Sequence, residues 1–211
     1  VRSTLCSPSA EWCTPSRIGW YGFNPGSTGA MSSAEDAKRA SNAAMTTTIS
    51  GATAACTALF YDLIASKGTH MDTLHLTNSL LGGLVAVTAG SDIFSSWSAM
   101  AVGAIAYAVF SGSKRLVLYL QIDDVVDAIS VHGACGTWGC FAVGLFHPEK
   151  GVVWGRSPEL LVAQLIGISS IFCLGFIPIY VLCWQLHTRF DLLRAHVEEE
   201  AMGLDWHLFH L

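Results

Sequence analysis

Long runs without Asp, Glu, Lys or Arg alternate along this chain with short polar segments. Among the polar segments, we expect residues 35–39 and 114–124 to be connections between helices. Four of these runs, at residues 40–61, 93–113, 128–146 and 160–186, are 22, 21, 19 and 27 residues long. A helix needs about 20 apolar residues to cross a hydrocarbon core of about 30 Å. Because every backbone polar group in lipid must be bonded internally, we expect each run to form a transmembrane helix.

Two shorter apolar segments complete the pattern. Residues 76–91 lie between two full-length runs, so they must return the chain across the membrane, and residues 18–34 are glycine-rich and contain Pro25. The sequence therefore predicts an all-α, polytopic membrane helical bundle of about six transmembrane helices. We expect residues 18–186 to form the membrane domain, residues 1–17 an atypical polar N-terminal segment, and residues 187–211 a cytoplasmic tail.

Composition supports the membrane interpretation over a soluble all-α protein with buried helices. The chain is 52% hydrophobic and only 13% charged, which is about half the charged fraction of an ordinary soluble domain. Basic residues favour cytoplasmic loops, and placing the C-terminus inside leaves five of them inside against four outside. The five are Lys67, Lys114, Arg115, Arg189 and Arg194. This small excess favours a cytoplasmic C-terminus.

The cysteines and histidines do not indicate a metal or cofactor site. The seven cysteines form no CxxC pair, and their spacing relative to histidine matches no closed zinc site. A membrane redox enzyme with histidine-ligated haem would need paired inward histidines on facing helices, and His132 is the only histidine deep in an apolar run. We therefore expect no metal, no cofactor and no enzymatic activity.

Residues 123–139 carry the densest set of candidate functional side chains. Asp124 and Asp127 suit a helix N-terminus, where one carboxylate caps free N–H groups and both favour the positive end of the helix dipole. His132 lies two turns further on, where an ionisable side chain marks a transport path or relay, or is a neutral histidine bonded to a neighbouring helix. The glycines at 133, 136 and 139 predict a ridge of small residues for close helix contact.

A second group of candidates lies in the first apolar segment. Trp20, Phe23 and Ser27 are spaced at i, i+3 and i+7 and share one helical face. An aromatic stripe of this kind serves packing or lines a conduit. Aromatic faces attract cations, most strongly where water is scarce, so two rings beside a hydroxyl are compatible with a cation pathway.

Five segments in order resemble the second half of the Amt/Mep/Rh ammonium transporter family, and its Amt branch most closely. They are GWYGFNPGS at 19–27, NAAMTTT at 42–48, LLGGLVAVTAG at 80–90, DDVVDAISVHGACGTWG at 123–139 and EEEAMGLD at 198–205. The resemblance implies homotrimers of eleven-helix protomers, with a pore between two inverted five-helix repeats. It also implies a cytoplasmic C-terminus and, by default, location in the plasma membrane.

The same resemblance assigns roles to individual residues. His132 corresponds to the second histidine of a pair at mid-pore, and Phe23 to one ring of the outer phenylalanine gate. Ser27 corresponds to the hydroxyl of the external cation site, Trp20 to an aromatic of the pore wall, and Thr88 to a pore-lining threonine nearer the inside.

These assignments predict transport of ammonium or ammonia through a hydrophobic pore with a histidine relay. The partners expected are ammonium, the lipid bilayer and further copies of the intact protein, with no nucleic acid. The first helical repeat and its partner histidine do not occur in these residues, so we expect the chain to be a truncated form of the transporter. Two alternatives stay open: an ammonium sensor or regulatory subunit that acts through the tail, and an inactive fragment.

Overall fold

The computed structural model describes residues 18–69, 71–190 and 193, and these residues form helices and connecting turns with no β-strand among them. Helix α1 covers residues 18–26. The others are α2 (Ala34–Ala65), α3 (Thr73–Val87), α4 (Ser96–Tyr119), α5 (Cys135–Phe146) and α6 (Glu159–Phe190). The predicted N-terminal segment 1–17 and the tail motif at 198–205 lie outside the described residues.

The membrane-helix prediction is confirmed in its class, an all-helical membrane bundle. Four helical stretches are long and apolar enough to cross a bilayer: Ala34–Ala65, Ser96–Tyr119, Ile129–Phe146 and Glu159–Phe190. The predicted short return helix is α3, which has 15 residues and continues into the 3-10 turn Thr88–Gly90.

The polarity of residues 35–39 predicts a connection between helices. In the structure these residues form the first turns of α2. A capping box starts this helix: the Asp36 N–H donates to Ser33 Oγ at 3.1 Å, and the Ser33 N–H donates to Asp36 Oδ2 at 3.2 Å. Likewise α4 continues past Lys114 and Arg115 to Tyr119. Both basic side chains have partners there: Lys114 Nζ donates to Asp127 Oδ2 at 2.6 Å, and Arg115 donates to the Tyr61 hydroxyl at 2.8 Å.

Close contacts between small residues hold α2, α3 and α4 together. Each of these helices packs against the other two, and α3 also packs against α5. At one crossing, a Cβ on Gly103 of α4 would overlap the carbonyl oxygen of Ser50 on α2. The Ser50 hydroxyl donates to the Gly83 carbonyl of α3 at 2.7 Å. Small side chains allow such backbone proximity between membrane helices, where lipid leaves no hydrophobic drive for association.

The helix that carries His132 begins with a π-helical segment. This segment, Ile129–Ala134, runs directly into α5. A π turn closes its hydrogen bonds from residue i to i+5 and therefore holds one more residue than an α turn, and such turns occur often at functional sites. His132 lies inside this segment, which places it where the helix departs from regular geometry.

The chain divides into two compact units, residues 1–165 and residues 166–211. In the second unit, α6 continues to Phe190 and presents a ladder of stacked rings along one face. Phe172 and Phe176 have ring centroids 4.9 Å apart, and Phe176 and Tyr180 have theirs 5.8 Å apart.

Candidate functional site

Four of the five pore residues predicted from the sequence line a single groove of about 580 Å³. They are Trp20, Phe23, Thr88 and His132. The groove is completed by Gly19, Val85, Ala89, Gly136 and Cys140. None of these lining residues is an Asp, Glu, Lys or Arg, so the groove is apolar except for one hydroxyl, one thiol, one indole N–H and one imidazole.

Three separate elements bring the polar and aromatic groups of the groove together. Trp20 and Phe23 come from α1, Thr88 from the 3-10 turn after α3, and His132 from the π-helical segment. Gly136 and Cys140 follow His132 at i+4 and i+8, so they extend the same face of the helix along the groove.

Trp20 connects the other three groups. Its indole Nε1 donates to Thr88 Oγ1 at 3.3 Å. Its ring lies 6.0 Å from the ring of Phe23 and 6.4 Å from that of His132, centroid to centroid, and the indole and imidazole planes are inclined by only 26°. The rings of Phe23, Trp20 and His132 therefore form a continuous aromatic surface along the groove.

Thr88 has most of its hydrogen-bonding capacity occupied. Its hydroxyl accepts from Trp20 and donates to the Leu84 carbonyl at 2.9 Å. A hydroxyl has one proton and two lone pairs, so one lone pair remains to accept a hydrogen bond from a ligand in the groove.

Both outer rings of this surface are accessible within the chain. Phe23 is 58% exposed, His132 is exposed, and Trp20 is half-buried. Exposed rings of this kind can contact another protein surface or a small molecule. The groove is thus open on one side in the residues that the structure describes.

Ser27 lies apart from the groove residues. It follows the end of α1, and its hydroxyl donates to the Phe23 carbonyl at 2.6 Å. Such a bond to the carbonyl four residues back is common for serine in a helical turn. Its oxygen keeps its lone pairs and is exposed, so it remains able to accept from a cation near Phe23.

The two aspartates before His132 have different contacts. The Asp124 carboxylate accepts from the backbone N–H groups of Ala128 and Ile129, each at 2.8 Å, and so caps the start of the helix. Asp127 makes side-chain contacts instead: its Oδ2 accepts from Lys114 Nζ at 2.6 Å and from Asn78 Nδ2 at 2.8 Å.

The sequence analysis did not identify Lys114 and Asn78 as neighbours of the helix that carries His132. The available signal was the cost of a carboxylate at the edge of a span, which requires a partner. Nothing in the spacing of these residues identified which cation or amide would supply it. Among the described residues, no group of three or more His, Cys, Asp or Glu side chains is placed to hold a metal ion.

Comparison with known proteins shows the family of the chain. The chain matches the Ammonium Transporter Family over residues 17–210. It is 37% identical over 188 residues to a putative ammonium transporter of Synechocystis sp., an alignment that covers 89% of this chain and 41% of that protein. Ammonium transporter 1 member 2 of Arabidopsis thaliana is 34% identical over 208 residues, which cover 89% of this chain and 40% of the relative.

A solved structure has the same fold. The crystal structure of Candida albicans Mep2 superimposes with a TM-score of 0.78 at 26% identity, covering 90% of this chain and 43% of Mep2. The chain thus spans about two-fifths of the length of the curated relatives it matches. The family match extends over most of the chain and includes every groove residue, so this multi-pass membrane protein belongs to the ammonium transporter family.

Proposed function

We propose that the groove forms one wall of a pathway for ammonium and ammonia across the membrane. The observation that carries this proposal is the convergence of Trp20, Phe23, Thr88 and His132 on one apolar groove in a chain of the ammonium transporter family. An apolar conduit with a few polar groups suits a small solute that travels uncharged through its narrow part. The names of the relatives supply the solute, ammonium.

The aromatic end of the groove is suited to hold the cation. Removing the water from an ammonium ion costs far more than thermal energy unless other contacts replace that water. The faces of Phe23 and Trp20 attract a cation, and this attraction grows as water is excluded. The Ser27 hydroxyl near Phe23 offers an acceptor for an ammonium N–H. We infer that this region recruits the ion.

Beyond the rings, His132 is suited to the uncharged part of the path. A neutral imidazole has one donor nitrogen and one acceptor nitrogen, so it can bond ammonia and pass a proton by exchanging the two roles. We infer that the ion loses its proton near the rings, that ammonia crosses the apolar section beside His132 and Thr88, and that the proton moves separately along histidine.

A second wall completes the pathway. His132 and Phe23 are exposed, and an open apolar groove with an imidazole does not separate two aqueous phases. We infer that another part of the transporter supplies this wall together with a partner histidine, as in an inverted-repeat pore. We further propose that residues 18–186 are the membrane domain, that residues 187–211 are a cytoplasmic tail, and that the working form is a plasma-membrane homotrimer.

The test is uptake in yeast cells that lack their own ammonium transporters and express the full coding sequence of this gene. Radiolabelled methylammonium reports transport, and potassium uptake reports selectivity. We expect His132→Ala to lower the ratio of methylammonium to potassium uptake by roughly 10- to 100-fold, because a hydrogen bond to a charged or developing charged group contributes about 1.5–3 kcal/mol.

His147→Ala is the matched control, because His147 directly follows α5 and does not line the groove. An unchanged ratio in His132→Ala, with the protein present in the membrane, would refute the role of this histidine. Expressing the 211-residue chain alone tests the second wall: uptake equal to that of the full coding sequence would show that no further wall is needed.

One observation favours a second candidate function, ammonium sensing. The chain is 29% identical to a solved protein entitled "Sensor Amt Protein", with a TM-score of 0.77 over 92% of this chain and 46% of that one. Removing residues 191–211 separates the two functions. A sensor would lose its signalling output and keep its flux, whereas a transporter regulated by its tail would change its flux.

A further inference from the structure

Asp127 adopts a backbone conformation that is rare for its residue type. Its φ is +56°, in the left-handed region that few residues other than glycine occupy, although aspartate and asparagine tolerate it better than most. The residue immediately precedes the helical stretch that leads to His132. A left-handed residue at this point changes the direction in which the chain enters the helix.

Two side chains hold Asp127 in place from other helices. Its Oδ2 accepts from Lys114 of α4 at 2.6 Å and from Asn78 of α3 at 2.8 Å. The Asp127 side chain is 13% exposed and that of Lys114 is 28% exposed, so water screens this ion pair less than a surface pair. Loss of either partner would leave a largely buried charge unpaired, which is costly.

The side-chain direction of His132 about its helix axis decides whether its imidazole lines the groove. His132, Gly136 and Cys140 line the groove, while Cys135 and Gly139 are buried against the bundle. In an α-helix each residue turns the side-chain direction by about 100°. Losing the extra residue held in the π turn would therefore rotate the residues before that turn by about 100° relative to Gly136 and Cys140, and His132, inside the turn, by part of that angle.

The π turn lies between two points at which the chain is fixed to α3. On one side Asp127 is bonded to Asn78. On the other, Cys135 packs against Gly82, and a Cβ on Gly139 would overlap the carbonyl of Ala86. Cys135 follows Asp127 by eight residues, whereas Gly82 follows Asn78 by only four along α3. The segment 127–135 thus has four more residues than the segment of α3 beside it, and a π turn accommodates part of this extra length.

We propose that Lys114, Asn78 and Asp127 form a clamp that maintains the π turn and thereby sets the orientation of His132 toward the groove. Asp127 is then a positioning residue for transport, and this inference rests on the proposed function of the groove. Helix initiation does not depend on the clamp, because Asp124 caps Ala128 and Ile129 independently.

Transport selectivity gives the first test, in the full coding sequence expressed in yeast without other ammonium transporters. Lys114→Met removes the cation, Asp127→Ala removes the carboxylate and disfavours the left-handed backbone, and Asp127→Asn loses only the charge. We expect the ratio of methylammonium to potassium uptake to fall about tenfold or more in the first two and less in Asp127→Asn. Lys114→Arg should retain most of the ratio, since it restores a donor to Asp127.

The matched control breaks the other ion pair among the described residues, Arg39 with Asp92, by Arg39→Met. Asp92 precedes α4 and Lys114 lies near its end, so the two pairs are at opposite ends of that helix. We expect Arg39→Met to lower at most the amount of protein in the membrane. The ratio of methylammonium to potassium uptake does not depend on this amount, so it should stay unchanged. An unchanged ratio in Lys114→Met and Asp127→Asn would overturn the inference, even if Asp127→Ala fails to fold.

A second measurement is independent of transport. In a Cys140→Ser background, His132→Cys is labelled with a small thiol reagent, and labelling of the same protein with His132 is subtracted. We expect Lys114→Met to slow the labelling of position 132 several-fold, because the side chain turns away from the groove. Unchanged labelling would refute the clamp while leaving the proposed function intact. Slower labelling together with an unaffected ratio in His132→Ala would support the clamp and refute the function.

Discussion

Substituting Gly139 by alanine tests how closely α5 approaches α3. A Cβ at this position would overlap the carbonyl oxygen of Ala86. The overlapping atom belongs to the backbone of a neighbouring helix, so it cannot move aside as the end of a side chain could. Either α5 separates from α3 or both helices deform. Because the groove lies on the adjacent face of α5, we expect Gly139→Ala to disturb both stability and transport.

The other two glycines of the same segment provide matched comparisons. At Gly136 an added Cβ would meet Val85 Cγ1 at 3.7 Å, an ordinary contact, and at Gly133 it would meet nothing within 4 Å. Replacing glycine by alanine favours helix by up to about 1 kcal/mol at each of these positions. This gain cancels when the variants are compared with one another. Overpacking costs about 1–3 kcal/mol, so Gly139→Ala should be less stable than Gly136→Ala by about that amount.

Thermal unfolding of the purified full-length protein in lipid or detergent measures this difference. Gly139→Ala should have the lower Tm of the two variants, because Tm falls with the free energy of unfolding. Gly136→Ala should instead change transport, because Gly136 lines the groove. Equal Tm values for Gly136→Ala and Gly139→Ala would refute the close approach of α5 to α3.

Two further substitutions test the groove and the start of its helix. Trp20→Phe removes the 3.3 Å bond from the indole to Thr88 and keeps an aromatic ring; the net loss of about 0.5–1.5 kcal/mol predicts a rise in the KM for methylammonium of up to about tenfold. An unaltered KM would show that this bond does not hold the ring in its working position. Asp124→Ala removes the acceptor of two backbone N–H groups and should lower stability by about 0.5–2 kcal/mol, measured as Tm. Stability equal to wild type would mean that other groups cap the helix.

The existence and class of the helices could be predicted from the sequence because the bilayer imposes local requirements. Length and apolarity decide whether a segment crosses the membrane, and both are properties of consecutive residues. The residues at which the helices begin and end could not be predicted as well. Charges at 35–39 and at Lys114 and Arg115 indicated connections, yet they lie in helices. A capping box starts α2 before residues 35–39, and Asp127 and Tyr61 pair with Lys114 and Arg115.

The candidate site was partly predictable for the same reason. Trp20 and Phe23 share a face through local spacing, so their proximity follows from helix geometry. No pattern along the chain brings His132 to Trp20, since the two residues belong to elements separated by four helical segments. Their 6.4 Å separation depends on how α3 and the π-helical segment pack.

Three features were decided only by the tertiary structure. The glycines at 133, 136 and 139 are equivalent in spacing, but only Gly139 meets a neighbouring backbone. Asp124 and Asp127 both resemble cap residues, but only Asp124 accepts from the helix N–H groups, while Asp127 bonds to Lys114 and Asn78. Sequence periodicity assumes 3.6 residues per turn, so it could not reveal the π turn at His132. Local chemistry therefore determined which segments are helices, and contacts between distant residues determined which of their side chains face one another.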